Sequence, residues 1–315
     1  MRGLSFLAGA ALLVGLAAGS AFAQDSDENT YRCWDELDEF TPEQSIAGCT
    51  AALRSGEVAA EDRPAMFAMR GWWYNDLGDH ERAVADFAEK IRLRPDEADG
   101  YGWRATAYFD KGDFALALAD YDEAIRLGPE EPDLVLWYHL RGVVHDQLGE
   151  FQRAIDDFRA ALRIGGDDPV IYGDRGNVFL ALGQYERALQ DHTMAIELAP
   201  GEAQHWNNRC WVRAVWGQEL DQALADCNEA LTVEPGLAYV LDSRGLVRLR
   251  RQEWDAALAD YQASVDIEPT ASAHYGRGIA LSRLGRADEA SDSYATATGL
   301  DAEIAATYAG YGIEP

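Results

Sequence analysis

The 315 residues include 55 Asp and Glu against 27 Lys and Arg, which gives a formal net charge of −28. Such a charge repels nucleic-acid phosphates and anionic lipid headgroups, so the composition excludes these partners and favours neutral or basic ones. Hydrophobic residues make up 48% of the chain, with nine Trp, so the composition predicts an ordered fold rather than a disordered chain.

Residues 1–23 have the pattern of a secretory signal peptide. Arg2 supplies a positive start, residues 4–19 are an apolar stretch, and residues 21–23 (Ala-Phe-Ala) form a small-x-small cleavage pattern before Gln24. The apolar stretch is short for a membrane span, and no later segment is apolar and long enough to be one. We therefore expect export to the periplasm or secretion, with no membrane insertion of the mature chain.

A short motif, an arginine followed by a small residue, recurs every 33 to 37 residues. Its arginines are Arg70, Arg104, Arg141, Arg175, Arg209, Arg244 and Arg277. An alanine keeps the same spacing, at Ala83, Ala117, Ala154, Ala188, Ala223, Ala257 and Ala290. Proline marks most unit ends, at Pro95, Pro129, Pro200, Pro235 and Pro269. Three series in step at one period indicate a repeat array.

Each repeat has the pattern of two helices joined by a tight turn. In the second helix, apolar residues recur at i, i+4 and i+7, as at Ala154, Phe158 and Ala161. A glycine followed by an acid, as in Gly78-Asp79, marks the turn, and proline ends the unit because it cannot continue a helix. The sequence therefore predicts an all-α protein built from antiparallel helix hairpins.

These spacings resemble the tetratricopeptide repeat, and the match covers seven units within residues 64–300. The resemblance implies a right-handed superhelical solenoid whose first helices line a concave, partner-binding groove. The sequence departs from the family pattern after the third unit, where Gly165-Gly166 stands without a proline, and within residues 129–133, which contain three extra residues.

The same spacing identifies a divergent first hairpin within residues 24–63. Cys33 and Cys49 occupy the same two positions of this hairpin that Cys210 and Cys227 occupy in a later unit. These positions lie opposite one another in an antiparallel helix pair, where the Cα atoms can come within the roughly 4.4–6.8 Å that a disulfide needs. We therefore predict the disulfides Cys33–Cys49 and Cys210–Cys227, in keeping with an oxidising compartment.

A redox-active pair and a zinc site are the functional alternatives for the cysteines. No Cys-x-x-Cys occurs, and the six His show no ligand spacing near the cysteines. The sequence therefore predicts no metal and no cofactor.

The last residues, 301–315, follow the seventh unit. They have the pattern of a short helix from Ala302 to Tyr308 and an extended end. We expect this segment to cap the apolar face of the last unit, although Tyr308 and Tyr311 are equally consistent with a dimer contact.

Arginine precedes the small residue in all eight hairpins, from Arg32 to Arg277, and an aspartate recurs in step with it in the second helix. The aspartates are Asp86, Asp120, Asp157, Asp191, Asp226 and Asp260. Arg forks onto carboxylates, so each Arg is expected to bind an Asp of its own or a neighbouring unit. The alternative is a row of arginines that captures carboxylates of a partner.

Below, the residue after each recurring Arg is called the small position. The surface that the resemblance assigns to partners, called the binding stripe, runs three before, one after and four after each small position. Its candidate residues are Trp34, Trp72, Asn75, Phe109, His139, Asn177, Asn207, Trp211 and Tyr275. Asp146, Leu246 and Ile279 lie on the same stripe. It lacks the repeated Lys, Asn and Arg of family members that clamp C-terminal carboxylates.

Two classes of partner follow from this stripe. A protein or peptide segment in the groove would make the chain an interaction scaffold of the cell envelope, which the family resemblance favours. Alternatively, Trp34, Trp72 and Trp211 would stack on the sugar rings of a polysaccharide or peptidoglycan. We expect no enzyme activity, because no nucleophile motif, phosphate-binding glycine loop or metal-ligand spacing is found in the sequence.

The cysteine pairing is tested by peptide mapping of the unreduced protein. We expect two linked peptide pairs, one containing Cys33 and Cys49 and the other Cys210 and Cys227. Free thiols in the native protein, or a peptide that links Cys33 to Cys227, would contradict the pairing.

Overall fold

The computed structural model describes residues 28–34, 40–128 and 132–314, which form seventeen α-helices and no β-strand. The prediction of an all-α repeat protein is confirmed. The predicted signal peptide, residues 1–23, lies outside the described residues. None of the described helices has the length and the apolar character that crossing a membrane requires.

The chain divides into two compact units, and the first is Met1–Gly166. Its described helices are α1 (Glu28–Trp34), α2 (Pro42–Ser55), α3 (Arg63–Asp76), α4 (His80–Leu93), α5 (Ala98–Lys111), α6 (Phe114–Leu127), α7 (Asp133–Gln147) and α8 (Phe151–Gly165). Each odd-numbered helix packs against the even-numbered helix that follows it, so the described residues of this unit form four hairpins.

The second unit, Asp167–Pro315, repeats this arrangement. Its described helices are α9 (Pro169–Ala181), α10 (Tyr185–Leu198), α11 (Ala203–Trp216), α12 (Leu220–Val233), α13 (Ala238–Arg250), α14 (Trp254–Ile267), α15 (Ala271–Arg283), α16 (Ala287–Leu300) and α17 (Ile304–Gly310). Helices α9 to α16 form four further hairpins, in which the odd-numbered helix is again the first. Helix α17 begins two residues after the predicted start and has no second helix.

The turn inside a hairpin depends on glycine and on an acidic residue. Gly78 and Gly112 have φ angles of +77° and +86°, a region that glycine enters without the steric penalty of a Cβ atom. Asp79 then caps α4, because its carboxylate accepts a hydrogen bond from the backbone N–H of Arg82. The turn therefore fixes where the second helix begins relative to the first.

The small position requires a small residue because an aromatic ring of the second helix lies against it. A Cβ atom at Gly71 would come 3.1 Å from the ring of Phe87, and one at Gly142 would come 2.7 Å from the ring of Phe158. Both rings are buried. The two helices therefore approach as closely as the ring permits, and a larger first-helix residue would force them apart.

In two hairpins a pair of cysteines takes the place of the small residue and the ring. Cys33 and Cys49 have Cα atoms 4.5 Å apart, Cys210 and Cys227 have Cα atoms 5.5 Å apart, and all four residues are buried. The sulfur atoms of each pair lie within bonding distance. Gly48 precedes Cys49, and a Cβ atom there would come 2.7 Å from the Cβ atom of Arg32.

Six recurring arginines bind the aspartate of their own hairpin through both carboxylate oxygens. The Nε–Oδ2 distances are 2.7 to 3.0 Å and the Nη2–Oδ1 distances are 2.6 to 2.8 Å. The pairs are Arg70–Asp86, Arg104–Asp120, Arg141–Asp157, Arg175–Asp191, Arg209–Asp226 and Arg244–Asp260. This arrangement favours the structural interpretation, because the guanidinium fork is already occupied.

The third guanidinium nitrogen reaches the second helix of the preceding hairpin. Arg70 Nη1 donates to Thr50 Oγ1 at 3.1 Å, and Arg244 Nη1 donates to Asn228 Oδ1 at 2.8 Å. In the last hairpin Ser293 replaces the aspartate, and Arg277 donates to its hydroxyl. One side chain therefore joins the two helices of a hairpin and also joins that hairpin to its predecessor.

The Arg175→Ala substitution is expected to lower the free energy of unfolding by about 2–3 kcal/mol. The physical reason is that Asp191, whose side chain is 7% exposed, would lose its partner while remaining buried. Thermal and urea unfolding, followed by circular dichroism, measure the change. Arg153→Ala is the control, because Arg153 forms an exposed pair with Glu150 and should cost less than about 1 kcal/mol. Equal melting temperatures for the wild type and Arg175→Ala would contradict the structural role.

Candidate functional site

The predicted binding stripe is accessible at only some of its positions. The half-buried candidates are Trp34, Trp72, Asn75, Phe109 and Trp211. Asn177 is exposed. These residues belong to first helices, which are the helices that the resemblance assigns to partner binding.

His139, Asn207 and Tyr275 are buried, with exposed fractions of 5%, 7% and 5%, so their prediction as exposed residues was wrong. All three stand three residues before the small position. Gly102, which holds this position in α5, lies so close to the next first helix that a Cβ atom would come 2.3 Å from the ring of Trp137. The position therefore faces the neighbouring first helix rather than solvent.

In the first unit, α3 carries two aromatic rings in contact and an amide that is hydrogen-bonded to α5. The rings of Trp72 and Trp73 meet edge to face with centroids 4.5 Å apart. Asn75 donates through Nδ2 to Asp110 Oδ2 at 2.7 Å, and its Oδ1 lies 2.9 Å from His80 Nδ1. The hydrogen bonds hold the amide in place, and the ring contact restricts the rotamer of Trp72.

In the second unit, the face formed by α11, α13 and α15 is covered by residues 304–314, called the tail below. The ring of Tyr308 is 1% exposed, and its centroid lies 4.8 Å from that of Tyr275 in α15. The ring of Tyr311 contacts that of Trp211 in α11 edge to face, with centroids 5.6 Å apart. The tail therefore lies across stripe residues of two first helices.

Two further stripe residues belong to the same covered face. Leu246 and Ile279, predicted to be accessible, are each only 1% exposed. Both belong to one apolar cluster with Ile304 and Tyr308 of the tail. The prediction of exposure was wrong at these positions because the chain folds its own end onto the cluster.

Within the part of the chain that the structure describes, Arg250 has no carboxylate partner and binds backbone carbonyl groups instead. Its Nη2 donates to the carbonyl of Val215 at 2.9 Å and to the carbonyl of Tyr311. Val215 lies in the last turn of α11, where carbonyl groups lack helical partners and carry the negative end of the helix dipole. Burial lowers the pKa of Arg250, and its Nε has no hydrogen-bond partner among the described residues.

Asp242 lies under the tail at the position three before the small position of α13. Its Oδ1 is buried without a hydrogen-bond partner in the described part of the chain. Burial raises the pKa of Asp242 to about 6, and the Ser272 hydroxyl opposes this shift. Burial first, and the Asp242 carboxylate second, raise the pKa values of Tyr308 and Tyr311. The pKa of Tyr261 in α14 is also raised, mainly by burial and to a smaller extent by Tyr308 and Asp242.

Asp242 and Arg250 were not among the sequence-predicted site residues. The repeat spacing could have identified Asp242. In the first helices from Gly102 to Tyr275, it is the only carboxylate three residues before the small position. Arg250 lies outside the stripe spacing and had no sequence signal. Among the residues that the structure describes, no group of three or more His, Cys, Asp or Glu is placed to hold a metal ion.

Family comparison identifies the repeat in both units. A sequence profile of the tetratricopeptide repeat matches residues 69–132 and 243–303, and a second tetratricopeptide-repeat profile matches residues 138–165. No curated protein matches the chain.

Solved structures of helical repeat proteins resemble most of the chain. A tetratricopeptide repeat protein from Parabacteroides merdae has a TM-score of 0.61 at 19% identity, over 83% of this chain and 98% of that one. The C-terminal part of a repeat protein from Cytophaga hutchinsonii has a TM-score of 0.56 at 14% identity, over 76% and 97%. Cut9–Hcn1 of the APC/C has a TM-score of 0.56 at 20% identity, over 80% and 50%. At these identities the likeness shows the fold alone.

The Asp242→Asn substitution is expected to remove a pH dependence of stability. The pKa of Asp242 is raised from its ordinary 3.8 to about 6 in the folded chain, so the folded state holds the proton more tightly than the unfolded state. This contribution is fully present below about pH 4 and is lost as the pH rises through about 6, by about 3 kcal/mol in total.

The measurement is urea unfolding of the wild type and of Asp242→Asn between pH 4 and pH 7. The wild type should lose stability relative to the variant as the pH rises. Burial lowers the pKa of His192 and of His205, which act in the opposite direction, but both are present in both proteins and cancel in the difference. Asp288→Asn, at an exposed position, is the control. A difference that does not change with pH would show that Asp242 is not held protonated.

Proposed function

Because this chain belongs to the tetratricopeptide-repeat family, whose members are generally non-catalytic scaffolds for protein–protein interaction, we propose that it is an envelope scaffold that binds a segment of a partner protein. In this proposal the partner segment lies along the first helices. The accessible part of the binding stripe in the first unit is the primary site.

The observation that carries the proposal is the half-buried aromatic surface of α3 and α5. Trp72 and Phe109 are half-buried and each has one aromatic neighbour, Trp73 for Trp72 and Phe114, 5.9 Å away, for Phe109. A ring whose rotamer is already restricted loses little entropy when a ligand covers its free side. Asn75 adds an amide that is held by contacts to Asp110 and His80. Rigid aromatic anchors around a placed polar group are typical of surfaces that bind protein segments.

The distribution of charge supports a neutral or basic segment. The recurring arginines of the first unit, such as Arg70, Arg104 and Arg141, are each held by a buried aspartate. A partner is therefore not recognised by an arginine row, in contrast to a carboxylate clamp. The net charge of −28 adds a long-range attraction for positive segments.

Export is the second part of the proposal. It is supported by the signal-peptide pattern of residues 1–23 and by two buried cysteine pairs within bonding distance. Paired cysteines persist in compartments outside the reducing cytosol. Both features support a location in the periplasm or outside the cell.

A polysaccharide or peptidoglycan partner is the alternative. Sugar rings stack on the open face of a Trp. Trp72 meets Trp73 edge to face, and Trp211 meets Tyr311 in the same way. These contacts leave a free side of each indole for either partner, so the protein segment is favoured by the family and not by the ring contacts.

Site-specific photo-crosslinking tests the proposal. A photoreactive amino acid placed at Phe109 should link the chain to a discrete partner protein in the native envelope, and Trp72→Ala should reduce the yield about tenfold. The control position is Leu116 of α6, which is 50% exposed and lies on a second helix. It should give no such product.

Equal capture from Phe109 and Leu116 would contradict a binding face on the first helices. A glycan array probed with the wild type and with Trp72→Ala separates the two partner classes. Binding to a glycan that is lost in Trp72→Ala, without any protein crosslink at Phe109, would replace the protein partner by a polysaccharide.

A further inference from the structure

We infer that the tail is an internal ligand: it occupies a partner-binding face formed by α11, α13 and α15, and a partner segment must displace it to bind there. The identification of this face as partner-binding rests on the proposed function. The occupation of the face by a displaceable tail is a separate claim, and its test needs no natural partner.

The path of the tail differs from that of a further repeat. A ninth first helix would pack on α15 and α16, in the way that α15 packs on α13 and α14. Helix α17 itself contacts both α15 and α16, but the residues after it reach back over earlier first helices. Tyr311 touches Trp211 of α11 and its carbonyl is bound by Arg250 of α13, while Arg283 of α15 donates to the carbonyl of Glu314 at 3.2 Å.

Recognition of the tail combines main-chain contacts with one deep anchor. Arg250 and Arg283 bind carbonyl groups, which every peptide segment possesses, so these two contacts do not depend on the sequence of the ligand. Specificity comes from Tyr308, whose hydroxyl donates to the carbonyl of Ser272 at 3.0 Å. Ile304, 5% exposed, provides a second apolar contact one helical turn earlier.

These contacts define the chemistry of a segment that could replace the tail. It would carry an apolar residue and, four residues later, a tyrosine, followed three residues later by a second aromatic residue. The spacing matches Ile304, Tyr308 and Tyr311. A neutral or basic segment fits best, because Asp242 lies near the tyrosine and no cation of the described residues is paired with its carboxylate.

The docked tail has the properties of a contact that can open. Helix α17 has seven residues, too few for a stable isolated helix, and its N-cap residue Glu303 makes no side-chain capping bond. Docking also leaves Asp242 Oδ1 and Arg250 Nε buried with no hydrogen-bond partner in the described ranges, and each such atom opposes burial. The tail therefore covers the face without supplying hydrogen-bond partners to these two polar atoms.

The test uses the full chain and a fluorescent peptide with the sequence of residues 303–315. In the wild type the attached tail competes at high effective concentration, so the peptide should bind weakly. Tyr308→Ala should release the tail and increase the affinity for the peptide about tenfold or more. Adding Arg250→Ala to Tyr308→Ala should reduce that affinity again, because the face loses its donor to the main chain.

Thr307→Ala is the matched control, because Thr307 lies on the exposed side of the same helix and should leave the weak wild-type affinity unchanged. Failure of the peptide to bind folded Tyr308→Ala would overturn the proposal. So would binding that does not respond to Arg250→Ala.

Hydrogen exchange on the unaltered protein gives an independent test that does not require a folded variant. The amides of residues 304–313 should exchange through a local opening, while the amides of α13 and α15 stay protected. Addition of excess peptide should not slow the exchange of the α13 amides. Exchange of the tail only together with α13 and α15 would show that the tail is a permanent part of the fold. Neither result depends on the crosslinks at Phe109, so the failure of this proposal and the failure of the scaffold proposal are distinguishable.

Discussion

A guanidinium group held between the two helices of one hairpin is the contact on which the rest of the structure depends. Each of six arginines binds both oxygens of a buried aspartate and, in several hairpins, also donates to the second helix of the hairpin before it. A bidentate fork tolerates little change in distance or angle, so it sets both the spacing within a hairpin and the spacing between hairpins. At the two ends of the series the aspartate is absent. In the first hairpin Gly48 stands in its place, and in the last hairpin Ser293 does.

The fork also determines what the first helices can offer to a partner. Its cations are neutralised inside the hairpin, so the proposed recognition of a partner rests on the rings and amides of the first helices. In the first unit these groups, represented by Trp72, Asn75 and Phe109, are half-buried. A surface of this kind gives contact area without the desolvation cost of ion pairs, in keeping with the neutral or basic segment proposed as partner.

The second unit uses the same architecture differently. Its first-helix face carries Leu246, Tyr275 and Ile279, which are more apolar than their counterparts in the first unit and would expose a contiguous hydrophobic patch if uncovered. The tail covers them, and Arg250 links the tail to the end of α11. The two units therefore present faces of different character, one accessible and one closed by the chain itself.

The sequence by itself determined the features that depend on contacts within a hairpin. The arginine and its aspartate, the small residue and its ring, and the two cysteines of each pair are 16 or 17 residues apart, and the turn between them fixes their register. Such local pairings follow from helical periodicity. Contacts between successive first helices were decided only by the tertiary structure, as His139 and Asn207 show. The tertiary structure alone also decided the path of the tail, which brings Tyr311 to Trp211, because no periodicity relates residues so far apart in the chain.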